Sequence, residues 1–404
     1  MVRYKKKSFF PALFSGISRR IKILQNVIKR NDKGFLLVVA SLLCIGMFWV
    51  CSTTQIVQTR INSENVLLFS KAKIINQLIA LFIGIIAMFF VASADFEKTI
   101  KKYYYAVSVY IFFCVLLIIT LFMPAAAGGR RWIPIPGIGL NIQTAEFAKI
   151  AIIFFIASYM SNRRNMADMR QNSSKVFNPF VLSGIGLALI ALEPDIGIPA
   201  LTFFGISCMM YVSGVSFGDI LRVCLFAFPL FVLDCLRNLG HRLGRIQSFV
   251  LSVFTNDQQV DILGDAYQVS NSLIGICSGG ITGRGIAHSH QKTHLLTQHE
   301  SDFIFSVYAE ETGLIGSLLL IGLFAALLYY CYKIAMQAKD SYYRSLAVGL
   351  SCMLGVQAFY SIAVNANFAP IKGIALPFIS YGGSSLISTL IIIGIMMNVA
   401  ARRE

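Results

Sequence analysis

The chain alternates long apolar runs with short polar breaks. Ten apolar runs are centred near residues 35–56, 74–93, 103–123, 145–161, 178–192, 197–214, 219–236, 303–333, 345–365 and 378–399. A run of about 20 apolar residues crosses the hydrocarbon core of a bilayer. The pattern therefore predicts an all-α polytopic membrane protein with about ten transmembrane helices. The breaks are short except for residues 237–301, which form one large extracytoplasmic loop between runs seven and eight. Within it, 246–254 and 272–277 are apolar but too short to span, and such stretches pack at the interface or re-enter the protein body. Smaller outer loops cover 124–143 and 366–377.

Composition agrees with the pattern. Of 404 residues, 56% are hydrophobic and 13% charged, whereas a soluble domain carries roughly a quarter charged residues. Nine cysteines are scattered without a CxxC pair, which excludes a disulfide framework and a thiolate metal site. The net charge of +16 would point to nucleic acid in a soluble protein, but here its distribution excludes that partner. With a cytoplasmic N-terminus, the inner segments and both termini hold 23 of the 35 Lys and Arg residues, as the positive-inside rule expects. Ten spans return the C-terminus to the cytoplasm. Residues 1–33 form a basic cytoplasmic arm, and residues 34–401 form a single transmembrane domain. In the arm, Ile17, Ile21, Leu24 and Ile28 recur at helical spacing. It is either an amphipathic helix on an anionic leaflet or a solvated tail. The first long run begins too late and runs too long for a cleavable signal.

Chemistry gathers towards the outer face. Ionisable groups inside a span are costly and therefore functional candidates. Glu146 and Lys149 lie three residues apart near the start of span four, on one helix face. They read either as working groups or as an ion pair that only joins helices. Glu310 and Glu311 lie a similar distance into span eight. Arg130 and Arg131 stand beside Trp132; adjacent guanidinium groups suit phosphate oxygens, and the same residues also make a headgroup anchor. The glycine-rich stretch Ser278–Gly285 is an anion nest or a plain turn. His288, His290, His294 and His299 lack a matching Cys or carboxylate spacing, which argues against a metal site. Asp302 ends the large loop beside Phe303 and Phe305. It is either a helix N-cap or a half-shielded general base.

Taken in order, these segments resemble the SEDS family (shape, elongation, division and sporulation proteins), over roughly residues 34–400. The resemblance rests on Gly129-Arg130-Arg131-Trp132-Ile133, Gln143–Lys149, Glu193-Pro194-Asp195-Ile196-Gly197, Tyr267-Gln268 with Asn271-Ser272 and Ser278–Gly285, Ser301–Phe305 with Glu310–Gly313, and Leu376–Ser385. Pro370–Gly373 and Gln291-Lys292 look more like the division type, FtsW, than the elongation type. The resemblance implies a ten-span glycosyltransferase that polymerises lipid II into glycan strands for the septal wall, at the outer face of the bacterial cytoplasmic membrane. It also implies a class B penicillin-binding transpeptidase and other divisome proteins as partners. Asp302 would be the base, as the family's matching residue is thought to be, and Glu146 would orient Lys149. Arg130, Arg131, Lys149, Arg242 and Arg245 would handle pyrophosphate. Asp195, Gln268 and Lys372 would line the substrate site. A polyprenyl pyrophosphate leaves without a general acid but needs positive charge. A divalent cation, Mg or Mn, fits that need, although no ligand set for it is legible.

The chain departs from the family pattern at Thr144, Ala145 and Ile198, and at Thr297, Gln298 and Glu300, the last of which stands where His is common. Two other functions remain open on sequence alone: a lipid II flippase, since intramembrane charges and helix breaks also suit transporters, and a non-catalytic scaffold for the transpeptidase.

Overall fold

The computed structural model describes residues 23, 25–56, 63–97, 102–123, 131–134, 141–162, 176–193, 197–226, 265–292 and 300–402. In chain order the elements are α1 (Lys33–Ile56), α2 (Ser63–Ala92), α3 (Tyr103–Leu121), β1 (Trp132–Pro134), β2 (Asn141–Gln143), α4 (Thr144–Ser161), α5 (Phe177–Leu192), α6 (Gly197–Val212), α7 (Asp265–Ser278), α8 (Ile304–Gln337), α9 (Ser341–Asn365) and α10 (Gly383–Ala400). Seven of these helices are long and apolar enough to cross a membrane, and α5 and α6 are shorter apolar helices.

The two ends of the helix bundle can be told apart by their contacts. The Ser213 hydroxyl, just past α6, meets Ser345 at the start of α9, at the end of the bundle far from Asp302. Asp302 immediately precedes α8. Val212 and Ile304 thus lie at opposite ends of the bundle. A helical stretch over 217–226 begins the expected seventh run; the rest of that run lies outside the described residues. The first span starts where the last one finishes, because Arg30 Nη1 donates to the Ala401 carbonyl at 2.9 Å, and Lys333 near the end of α8 pairs with Asp32 at 2.8 Å.

In a bilayer the helices gain little from hiding apolar area from lipid, so close packing and polar contacts decide the arrangement. α4 and α10 form the middle, with 83% and 78% of their spanning windows buried, against 22% for α2 and α3. Small residues allow close approach: a side chain on Gly394 of α10 would collide with the Met88 carbonyl of α2. Buried amides close the helix ends. Asn398 Nδ2 donates to the carbonyls of Ala92 and Ala94, both at 2.8 Å, capping the orphan end of α2.

Two features differ from the expectation. First, Trp132–Pro134 and Asn141–Gln143 pair as an antiparallel hairpin, with Trp132 opposite Gln143. Ser384 at the start of α10 pins it, accepting from the Gln143 N–H at 2.9 Å and donating to the Asn141 carbonyl at 3.0 Å. Second, span eight is not one straight helix. Gly313 sits at φ 67°, ψ −163°, a conformation open to glycine and strained for other residues. The break separates a short leading helix, which carries Glu310 and Glu311, from the long apolar one. The apolar stretch 272–277 belongs to α7, which packs on α8 and α9 within the protein body.

Candidate functional site

Asp302 stands on a short strip, residues 300–302, whose backbone is held by three donors from two neighbouring segments. The Glu300 carbonyl accepts from the Tyr381 N–H at 2.9 Å. The Ser301 carbonyl accepts from the Ser380 hydroxyl at 2.5 Å. The Asp302 carbonyl accepts from Asn365 Nδ2 at 2.8 Å. Asn365 is fully buried at the end of α9. It also donates to the Ser361 carbonyl at 2.8 Å and accepts the Ser306 N–H at 3.0 Å. One amide thus joins α9, the strip and the first turn of α8. A Cβ on Gly373 would lie 3.4 Å from Asp302 Oδ2, so the 366–382 segment passes directly beside the carboxylate. Lys372 is its half-buried neighbour on that segment.

Beneath the strip lies the charge pair of span four. Lys149 Nζ is 2.7 Å from Glu146 Oε2, and Lys149 is 1% exposed. The ammonium also donates to Gln357 Oε1 at 3.1 Å, while the Ser388 hydroxyl donates to Glu146 at 2.6 Å. Gln357 in turn donates to the Ala375 carbonyl at 3.0 Å, and the next N–H, that of Leu376, reaches the Ser380 hydroxyl at 2.8 Å. Lys149 therefore connects by hydrogen bonds through α9 and the 375–380 turn to Ser301, next to Asp302. Neither charge of the pair is presented at a surface, and both have several polar partners, which offset the cost of burying them.

Residues 289–291, just past the glycine-rich stretch, hold an anion, and that anion is the protein's own. Glu310 is completely buried and accepts from the Ser289 hydroxyl at 2.5 Å and from the N–H groups of His290 and Gln291 at 3.1 and 3.3 Å. Arg284 Nη1 lies 3.6 Å away. Backbone bonds from Arg284 to Glu310 and from Gly285 to Glu311, at 3.0 and 3.1 Å, complete the seam. Glu311 pairs with Lys292, whose Nζ also donates to Ser52 of α1 at 2.8 Å. Burial pushes the Lys292 ammonium below its ordinary value, and Glu311 partly offsets that. Burial likewise raises the Tyr381 phenol, with the Glu300 carboxylate adding to the effect.

The other expected residues are placed as follows. Arg131 precedes β1 and Gln268 lies on α7, both half-buried at the same end of the bundle as Asp302. Arg130, Asp195, Arg242 and Arg245 lie outside the described residues, as do His294 and His299. Glu193, beside Asp195, is completely buried and accepts hydroxyls from Thr120 and Thr144. Among the described residues no three His, Cys, Asp or Glu side chains converge as metal ligands. Asn365, Gln357 and Lys73 belong to no motif quoted from the sequence, and Ser380 entered only as part of the Leu376–Ser385 block. An amide inside an apolar span, as at Gln357 and Asn365, was the available signal.

Fold and site together define a multi-pass helical membrane protein that fixes one carboxylate at one end of its bundle. Residues 33–404 match the family of FtsW, RodA and SpoVE, described as cell cycle protein, and the chain belongs to that family. It is 33% identical over 383 residues to a probable peptidoglycan glycosyltransferase FtsW of Geobacter metallireducens, covering 93% of this chain and 96% of that one. It is 32% identical over 386 residues to stage V sporulation protein E of Bacillus subtilis, covering 92% and 98%. Among solved structures, it superimposes with a TM-score of 0.71 and 26% identity on a chain of a peptidoglycan synthase complex described as coordinating polymerization and crosslinking, covering 92% and 98%. The fold is shared with the rod shape determining protein RodA of Thermus thermophilus, with a TM-score of 0.60 and 24% identity over 92% of this chain and 97% of that one.

Proposed function

We propose that this chain is a peptidoglycan glycosyltransferase that polymerises lipid II at the outer face of the bacterial cytoplasmic membrane, with Asp302 as general base. The observation that carries the reading is the strip 300–302, in which three successive carbonyls are held by donors from the 380–381 turn and α9. Such fixation matters for a base, because misplacement by about 1 Å costs up to about a hundredfold in rate. The Asp302 carboxylate takes the proton of a sugar hydroxyl as that oxygen attacks the anomeric carbon of a second lipid-linked glycan. The bond from that carbon to the diphosphate breaks, and polyprenyl diphosphate leaves. Arg130, Arg131, Arg242, Arg245 and Lys372 supply the positive charge it needs. Gln268 and Asp195 line the substrate site. Lys149 and Glu146, being enclosed, act by seating the 375–380 turn beneath the strip.

The described residues offer no ligand set for Mg or Mn, so no step is assigned to a divalent cation. Both termini are cytoplasmic in this reading, septal synthesis is the cellular role, and the partners are a class B transpeptidase and other divisome proteins. The test is a gel assay of purified protein with lipid II, with and without Mg or Mn. Wild-type protein makes polymer and Asp302→Asn makes none. Equal polymer from the variant removes Asp302 from the role of base.

A further inference from the structure

A side chain tethers the strip that carries Asp302 to the second span. Lys73 Nζ donates to both oxygens of Glu300, at 3.1 and 2.8 Å. The two side chains are 29% and 13% exposed, which places the pair at the edge of the bundle with partial shielding from water. Glu300 is two residues from Asp302, and its own carbonyl is held by Tyr381. One turn further along α2, the buried Gln77 accepts the Gly382 N–H at 3.3 Å. The outer part of α2 thus grips both edges of the place where Asp302 sits: the strip through Lys73 and the 380–382 turn through Gln77. α2 also packs along α10, whose N-terminus follows that turn directly.

We propose that Lys73 and Glu300 are a positioning pair for the reaction, fixing the Asp302 strip against α2 and setting the charge that the Asp302 carboxylate meets. This rests on the reading of Asp302 as base. The pair acts in two ways. It removes slack from a short turn, which serves a reaction needing close alignment. It also cancels the Glu300 charge two residues from the base, because a lone carboxylate there would disfavour a second ionised one. Among the described residues, the charged and titratable groups next to the strip include Lys73 from α2, Tyr381 and Lys372 from the 366–382 segment, and Glu300 itself, while α9 contributes the neutral Asn365.

The experiment measures lipid II polymerisation by the full-length protein across pH, for wild type, Asp302→Asn, Lys73→Gln, Glu300→Gln and the swap Lys73→Glu with Glu300→Lys. Each single variant lowers kcat about tenfold with KM little changed, within the range expected for a displaced catalytic group. The acid limb of the profile moves up in pH for Lys73→Gln, which leaves an extra carboxylate, and down for Glu300→Gln, which leaves an extra cation. The swap recovers most of kcat. A fold-supporting pair alone would move yield and stability without opposite displacements of the pH limb. Singles with wild-type kcat and pH profile, or a swap no better than either single, overturn the inference while wild type still polymerises and Asp302→Asn does not. A wild-type protein that makes no polymer, or an active Asp302→Asn, overturns the reading of Asp302 and the role of the pair with it.

Discussion

Asn365 is the residue on which most of the local geometry converges, and it tests the site without touching the carboxylate. Replacing it with Asp exchanges an N–H donor for an oxygen facing the carbonyls of Asp302 and Ser361. Leaving buried carbonyls without their donor costs about 1–3 kcal/mol. Asn365→Asp is expected to lower the unfolding temperature in detergent and to reduce kcat more than it raises KM. A variant with wild-type kcat would show that the strip does not need this amide. Glu146 and Lys149 make a second case. Removing one partner of a buried pair costs about 3–5 kcal/mol, while replacing both is often close to neutral. Lys149→Met should therefore destabilise strongly, and Glu146→Gln with Lys149→Met should recover much of the loss in a thermal melt; no recovery would show that the pair is not a closed unit. Lys292 adds a pH dependence. Its ammonium is held below the ordinary 10.5 by burial, so the unfolded chain binds that proton more readily. Stability from this group rises as pH climbs towards 10.5 and falls as pH drops through its folded value.

At the scale of elements, the break at Gly313 carries the sharpest prediction. Gly313 and Gly283 both have positive φ, 67° and 81°, and each would bring a Cβ against the other's strand of the seam. Gly313→Ala is expected to cost more than the roughly 1–2 kcal/mol of the left-handed conformation alone, read as lost folded yield and a lower melting temperature. Gly322→Ala on the same helix is the control. Nothing lies within 4 Å of its Cβ, so the change should be neutral. The contrast also shows why some of the fold was legible and some was not. A span is announced by its apolar run, and the runs were read directly. A helix break inside a continuous apolar run leaves no mark in hydrophobicity, and only the paired acids Glu310 and Glu311 hinted that the run's first turns were unlike the rest. The hairpin was missed for the opposite reason: Gly and Pro in 124–143 read as a loop, and three-residue strands pinned by one distant hydroxyl have no periodicity of their own.

For the whole molecule, the question is which end faces outward. Contacts place the start of the first span and the finish of the last at one end of the bundle, through Arg30 with Ala401 and Arg402 with Asp95 and Glu97 at 3.5 Å each. The positive-inside rule makes a cytoplasmic position the expectation for that end. In a cysteine-free background, a thiol placed at exposed Ile281 should react with a membrane-impermeant reagent added outside intact cells, and one placed at Gln337 should not. The reverse pattern would invert the protein. Asp302 was legible because it interrupts polar loop and apolar run at one point. Its supports were not, since Asn365, Gln357, Ser380 and Lys73 are distant in sequence and meet only after the helices pack.

One consequence follows from the strip at residues 300–302. Its three backbone oxygens already accept hydrogen bonds from Tyr381, Ser380 and Asn365. A sugar entering there finds few competing acceptors in the peptide chain to divert its hydroxyls. In the proposed reaction, which hydroxyl meets the carboxylate is then set by the orientation in which the incoming glycan is delivered rather than by hydrogen bonds to the strip.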